Sequence, residues 1–147
     1  EAAMDLMMRV WEPAKARVGE EGADMRAAGL SAHKIDSLVD LALHFDSGAI
    51  HAESWREMDD EAIIAELVGI RGIGRWTAEM SLIFHLMRPN VLPLDDVGLI
   101  TGISKNYFSG DPVSRSDARE VAAAWNPYCS VATWYIWRSL DPLPVAY

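Results

Sequence analysis

The feature that most constrains this chain is a glycine-rich turn, at residues 69–74, between two stretches with helical spacing of apolar residues. Gly72 and Gly74 flank Ile73, and Arg75 opens the second stretch. Glycine reaches positive φ angles and lets another backbone or a ligand come close. The first amides of a helix lack partners within it and, with the helix dipole, favour an anion such as a phosphate. The residues alone predict either an anion-binding turn or a plain corner between two helices.

No segment of the chain shows the alternation of apolar and polar residues that predicts a strand. Apolar residues instead recur at three- and four-residue spacing, from residues 2–11 onward. We therefore expect an all-α protein of about eight short helices. Three of them matter below: one over residues 75–87, one that starts at Asp96, and a last one from Pro127 to Leu140. We expect residues 1–147 to form a single domain.

The composition excludes several kinds of protein. A single cysteine, Cys129, rules out an internal disulfide and a four-cysteine metal or iron–sulfur site within this chain. No apolar run reaches the roughly 18 residues that a membrane-spanning helix needs, and the cysteine usage favours an intracellular protein. The net charge of −9 argues against a nucleic-acid partner, although a local contact surface need not share the sign of the whole.

Two adjacent carboxylates, Asp95 and Asp96, follow a proline-marked loop and precede an apolar helical stretch. An aspartate in that place is most often the N-cap of the helix, because its side chain accepts an orphan backbone N–H. Two adjacent aspartates cannot both cap, and they would repel each other if they were held close. The residues alone do not decide whether this pair caps the helix or takes part in a reaction.

The flanks of the turn resemble the helix-hairpin-helix of the DNA glycosylase superfamily, and residues 70–99 look most like 3-methyladenine DNA glycosylase II. The residues that carry the resemblance are Leu67-x-x-Ile70-x-Gly72-Ile73-Gly74-x-x-Thr77-Ala78 and Asp96-Val97-Gly98-Leu99. The resemblance implies the all-α helix-hairpin-helix (HhH-GPD) fold and covers essentially the whole chain.

The resemblance places the hairpin at residues 69–76. In that superfamily the hairpin amides hold the DNA backbone near the damaged nucleotide, through neutral groups and without reading base sequence. The resemblance assigns this DNA contact to Gly72, Ile73, Gly74, Arg75 and Thr77. It also implies a monovalent cation, Na⁺ or K⁺, bound by the backbone carbonyls of Val68, Ile70 and Ile73, and no other cofactor.

The resemblance places the essential aspartate of the family at Asp96, with Asp95 as its neighbour. Cleaving an N-glycosidic bond builds positive charge on the sugar, and a carboxylate beside C1′ stabilises it and orients or deprotonates the attacking water. Bifunctional members carry a nucleophilic lysine two residues after the last hairpin glycine, where this chain has Trp76. The resemblance therefore implies a monofunctional hydrolase that leaves an abasic site and an intact backbone.

The resemblance also implies a base pocket formed by Trp76, Met80 and Trp137. An alkylated purine is cationic and electron-poor, and an indole face attracts it. The family has a tyrosine where this chain has Met80. Trp76 also fits an ordinary core aromatic, and the spacing of Trp134 and Trp137 is what a plain core face would show.

The resemblance implies a base-excision-repair DNA glycosylase that acts on an alkylated purine, of the 3-methyladenine type, in damaged double-stranded DNA. Two alternatives remain: a non-catalytic helix-hairpin-helix module that binds DNA or a protein, and a glycosylase for another base lesion. Family members have further helices before the point matched by Glu1, so we expect a partial domain. A surface left by those helices would favour self-association.

Overall fold

Every regular element of the protein is helical in the computed structural model, which describes residues 22–141. No strand occurs among these residues, and the all-α prediction is confirmed. None of the helices described is both long and apolar enough to cross a membrane. In chain order they are α1 (Gly22–Ala27), α2 (Ala32–Asp46), α3 (Asp60–Val68), α4 (Arg75–Phe84), α5 (Val97–Tyr107), α6 (Arg115–Ala122), a 3₁₀ helix (Ala123–Trp125) and α7 (Cys129–Arg138).

The chain divides into two compact units, Glu1–Gly74 and Arg75–Tyr147, which are described separately. In the first unit, both longer helices begin at side-chain caps. Ser31 accepts the backbone N–H of Lys34 at the start of α2, and Asp59 accepts that of Ala62 at the start of α3. The buried faces of the two helices carry Ile35, Ala42, Ile63, Ile64 and Leu67.

The carboxylate of Glu66, on α3, holds the segment between α2 and α3 against α3. It accepts the backbone N–H of His51 at 3.2 Å, the ring Nδ1 of His51 at 2.7 Å and the indole N–H of Trp55 at 2.8 Å. Trp55 is itself buried. The segment before α3 is therefore held by hydrogen bonds to a charged acceptor as well as by packing.

The second unit packs α5, α6 and α7 around a buried cluster formed by Leu99, Ile103, Ala118 and Ile136. Helices α5 and α7 approach each other closely at Gly102. A Cβ atom built on Gly102 would overlap the Cγ2 methyl of Ile136. Glycine is thus required at this position by the neighbouring helix.

Three predicted helix boundaries, in two helices, are wrong. The helix predicted over residues 75–87 ends at Phe84, and Met87 has a φ of 54°, which a continuing right-handed helix cannot contain. The last helix begins at Cys129 and ends at Arg138, so it does not include Pro127. Extended backbone at Asn126 separates it from the 3₁₀ helix. The helical spacing at residues 2–11 lies outside the described residues.

Candidate active site and hairpin

The glycine-rich turn packs on α2 of its own unit. Gly72 has a φ of +83°, and a Cβ atom there would overlap the hydroxyl oxygen of Ser37. The turn uses four backbone N–H groups: Gly69 donates to Ala65, Ile70 donates to Leu67, Ile73 donates to Ile70, and Arg71 donates to the carboxylate of Asp40. Within residues 22–141, no hydrogen bond uses the N–H groups of Gly72 and Gly74.

Acidic side chains of α2 flank this turn. Asp40 accepts the Arg71 N–H at 2.6 Å, and the guanidinium of Arg71 lies 3.5 Å from Asp36. These carboxylates are one-third to one-half exposed. An anion that approaches the turn therefore meets neutral amides beside negative charge, which the sequence pattern did not predict.

The carbonyls predicted to bind a cation lie at the end of α3 and in the turn. The carbonyl of Ile70 accepts one hydrogen bond, from Ile73 at 3.1 Å, and keeps a second lone pair. Backbone carbonyl oxygens are ligands that suit a monovalent cation, and the ion at Val68, Ile70 and Ile73 stays a prediction. Among the described side chains, no cluster of His, Cys, Asp and Glu could hold a metal.

Asp96 is the N-cap of α5, as one of the two sequence interpretations predicted. Its backbone is extended, with φ −79° and ψ 116°, and its Oδ1 accepts the N–H of Leu99 at 2.6 Å. The side chain is half-buried. The cap therefore fixes one carboxylate oxygen at the start of α5.

Two tryptophans donate to the same carboxylate. The indole N–H of Trp137, on α7, lies 2.7 Å from Oδ1 of Asp96. That of Trp76, on α4, lies 2.8 Å from Oδ2. Two of the three residues predicted for a base pocket therefore contact the residue predicted to be catalytic, and they contact it through their N–H edges.

Asp95 has a different partner from its neighbour. Its Oδ1 lies 2.6 Å from the guanidinium of Arg115, at the start of α6. A shallow groove of about 280 Å³ opens on this side of the two aspartates, and its walls are mainly apolar. Its lining includes Leu94, Val97, Ile100 and Val113 but neither tryptophan, so this groove is distinct from the predicted base pocket.

Phe84 is a neighbour of the site that the sequence analysis missed. Its ring stacks on Trp137, with centroids 5.9 Å apart and planes 17° apart, and its side chain is 58% exposed. Trp76, Met80 and Phe84 are spaced four residues apart, which places them on one face of α4. The four-residue spacing in the sequence could therefore have placed Phe84 beside the other two side chains.

The residues of α4 predicted to contact DNA have partners in their own helix. Arg75 donates its Nε–H to the buried carboxylate of Glu79 at 2.9 Å, although the arginine side chain remains half exposed. The carbonyl of Thr77 accepts the hydroxyl of Ser81 at 3.2 Å. Arg75 therefore carries a positive charge that is partly offset within α4.

Known proteins of similar sequence indicate the family of this chain. No protein-family model matches the chain. It is 34% identical over 118 residues to the putative DNA-3-methyladenine glycosylase YfjP of Bacillus subtilis, covering 80% of this chain and 41% of that protein. It is 37% identical over 116 residues to DNA-3-methyladenine glycosylase 1 of Schizosaccharomyces pombe, covering 78% and 51%. The chain thus spans about half the length of these curated relatives.

A solved structure shares the fold. The S. pombe 3-methyladenine DNA glycosylase Mag1, in complex with abasic DNA, superposes with a TM-score of 0.75 at 34% identity, covering 85% of this chain and 62% of that one. Sequence and fold agree on the same group of proteins. The chain therefore belongs to the helix-hairpin-helix DNA glycosylase superfamily, with 3-methyladenine DNA glycosylases as its relatives.

Proposed function

We propose that the chain is the catalytic part of a monofunctional DNA glycosylase that hydrolyses the N-glycosidic bond of an alkylated purine in double-stranded DNA. The observation that carries the proposal is the carboxylate of Asp96, which three N–H donors hold in one orientation. The donors fix where the two carboxylate oxygens lie, and a carboxylate so placed can stabilise a developing cation and accept a proton.

In the proposed reaction Asp96 is the only catalytic side chain. The oxygen of a water molecule bonds to C1′ of the sugar while the bond from C1′ to the base nitrogen breaks. The electron pair of that bond leaves with the base, so a cationic alkylated purine departs neutral. The proton of the water passes to the carboxylate of Asp96, which also stabilises the positive charge on the sugar before the water bonds.

Hydrolysis, rather than lyase chemistry, follows from the residue at position 76. A lyase needs an amine that forms a Schiff base with the sugar, and no lysine occurs between Lys34 and Lys105. The nitrogen of Trp76 is an N–H donor, and it is already directed at Oδ2 of Asp96. The expected product is an abasic site in an uncut strand.

Recognition of the base falls to the aromatic side chains near Asp96. Trp76 is 46% exposed and Phe84 is 58% exposed, so aromatic surface remains accessible beside the carboxylate. A cationic purine would gain stacking and cation–π attraction on such rings. Met80 lies on the same face of α4, and its flexible thioether suits a pocket wall.

DNA is the proposed partner, and the hairpin is the segment proposed to bind its phosphate backbone. The N–H groups of Gly72 and Gly74 supply neutral donors for a phosphate, and Ile73, Arg75 and Thr77 flank them. The relative solved with abasic DNA supports this partner. Binding is expected to weaken as salt rises, since phosphate contacts release counterions.

A base-release assay tests the proposal. Purified chain is incubated with duplex DNA that carries 3-methyladenine, 7-methylguanine, uracil or 8-oxoguanine, and free bases are separated by chromatography. We expect release of a methylated purine, and a loss of roughly 100-fold or more in Asp96→Asn. Asp95→Asn is the matched control and is expected to stay active, because Asp95 pairs with Arg115 instead.

Other outcomes would assign another function. Release of a non-alkylated lesion would move the chain to a different glycosylase class. Strand cleavage without added alkali would show lyase chemistry. Binding to abasic DNA with no base release from any lesion would make the chain a non-catalytic DNA-binding module.

A further inference from the structure

Gly98 occupies the first turn of α5, two residues after Asp96. A Cβ atom built there would lie 3.0 Å from Oδ1 of Asp96, and 3.2 Å and 3.3 Å from Cδ1 and Nε1 of Trp137. Real Cβ atoms seldom come so near a neighbour. Two of these three atoms, Oδ1 of Asp96 and Nε1 of Trp137, share the 2.7 Å hydrogen bond.

The helix itself does not call for glycine at this position. Alanine is the better helix former, and Gly98 is not among the glycines with a positive φ. The glycine is explained by its neighbours instead, because with a Cβ atom at this position the carboxylate of Asp96 or the indole of Trp137 would have to shift by a few tenths of an ångström.

The two carboxylate oxygens of Asp96 accept different numbers of hydrogen bonds. Oδ1 accepts two donors, the N–H of Leu99 and that of Trp137, which use both of its lone pairs. Oδ2 accepts one donor, the N–H of Trp76, and keeps one acceptor site. Counting the partners among residues 22–141, Oδ2 is therefore the oxygen that can accept a further hydrogen bond.

We propose that Gly98 and Trp137 are positioning residues: the glycine admits the indole N–H to Oδ1, and this contact directs the remaining acceptor site of Oδ2 to the attacking water. The proposal rests on the proposed function of Asp96. It adds which oxygen takes the proton, and it gives Trp137 a role that its ring face does not supply.

The surroundings of Trp137 fit this role. Phe84 stacks on one side of the indole. Gly102, one turn further along α5, is covered by Ile136, the residue before Trp137. The two glycines of α5 thus meet consecutive residues of α7, but Gly102 faces an aliphatic methyl whereas Gly98 faces a hydrogen bond.

Single-turnover base release tests the proposal in this chain. Gly98→Ala and Trp137→Phe are each expected to lower the rate roughly tenfold or more, since a misplaced catalytic group costs that much. Binding to abasic DNA is expected to be unchanged in Gly98→Ala. Trp134→Phe is the matched control, because it removes an indole from the same helix that meets Tyr135 and Arg138 instead.

The double variant separates positioning from general damage. If Gly98 acts through the indole N–H, Gly98→Ala is expected to cost little once Trp137 is phenylalanine, so the two rate losses will not multiply. Rate losses that multiply in full would overturn the proposal. If Gly98→Ala fails to fold, the rates of Trp137→Phe and Trp134→Phe decide: equal rates would overturn it.

A second readout does not need activity. The chain has six tryptophans, and the indole N–H signal of Trp137 in a ¹H–¹⁵N spectrum is identified by its loss in Trp137→Phe. We expect Gly98→Ala to move this signal to the position of an unbonded indole, while that of Trp134 stays. An unmoved Trp137 signal would overturn the proposal. If the wild-type chain releases no base but Gly98→Ala still moves the Trp137 signal, the proposed function alone would be overturned.

Discussion

Asp95 lies 2.6 Å from the guanidinium of Arg115, whereas the adjacent Asp96 has only N–H donors as hydrogen-bond partners within the described residues. The two carboxylates, neighbours in the chain, therefore differ in charge balance. Asp95 is neutralised by a cation, and Asp96 keeps its net negative charge in an environment of neutral dipoles. A negative charge without a cation partner is what a carboxylate needs to stabilise a cationic sugar.

Arg115→Met is expected to weaken DNA binding more than it weakens the fold. Both partners are largely exposed, so the free energy of unfolding should fall by less than about 1 kcal/mol. The charge left on Asp95 should raise the Kd for abasic DNA by about fivefold at low salt, as expected for one added charge near a phosphate. Fluorescence anisotropy measures it.

The added substitution Asp95→Asn should restore the Kd of Arg115→Met, because it removes the unpaired charge. A double variant that binds no better than the single one would show that Arg115 contacts DNA itself.

The two hairpin glycines are expected to respond differently to alanine. Gly72→Ala should destabilise the first unit by about 1–2 kcal/mol, because the residue has a positive φ and its new methyl would overlap Ser37. Gly74→Ala should leave thermal unfolding unchanged, since no atom lies within 4 Å of the added Cβ. Its methyl should instead obstruct a phosphate and weaken binding to abasic DNA. Wild-type affinity in Gly74→Ala would remove this residue from the DNA contact.

Glu66 makes the stability of the first unit depend on pH. Burial alone would raise the pKa of its carboxyl, but the hydrogen bonds from Trp55 and His51 outweigh burial and hold the pKa below its ordinary value of 4.5. Because the pKa is lower in the folded chain, the stabilisation is fully present above about pH 4.5. It is lost as the pH falls through the folded value.

Glu66→Gln should therefore cost about 1–2 kcal/mol at pH 7, where hydrogen bonds to a charged acceptor are lost, and less at pH 3. Denaturant unfolding at several pH values measures the difference. A deficit that stays constant down to pH 3 would mean that the carboxyl charge contributes nothing.

Asp96 should show separate effects on stability and on catalysis. Asp96→Ala removes the cap of α5 and is expected to cost about 1–2 kcal/mol. Asp96→Asn keeps an acceptor oxygen for the Leu99 N–H, and asparagine caps as well as aspartate, so its melting temperature should lie above that of Asp96→Ala. Similar melting temperatures for the two variants would show that the cap contributes little to folding.

Local sequence signals predicted the all-α class and the cap at Asp96. Asp96 is a cap because a short polar side chain before an apolar helical stretch satisfies orphan amides. The end of α4 was missed by three residues. Its last turn depends on how Met87 and Arg88 fold back, with Arg88 donating its N–H to Leu82.

The partners of Asp96 could not be predicted from local pattern. Trp76 lies 20 residues away in the chain and Trp137 lies 41 residues away, and only the packing of α4, α5 and α7 brings them to one carboxylate. The resemblance gave both tryptophans a role through their ring faces. Their contact with Asp96 through the N–H edge, and the need for glycine at Gly98, appear only once side-chain positions are known.

The dual duty of Asp96, as helix cap and as proposed catalyst, has a consequence for the evolution of such chains. Under the proposed function, a descendant that had lost base excision would still need an oxygen acceptor at position 96 to keep α5 intact, so selection for folding alone would retain asparagine or serine there. A short polar residue at this position would then indicate an intact helix, and the carboxylate alone would distinguish a chain with the proposed activity from an inactive copy.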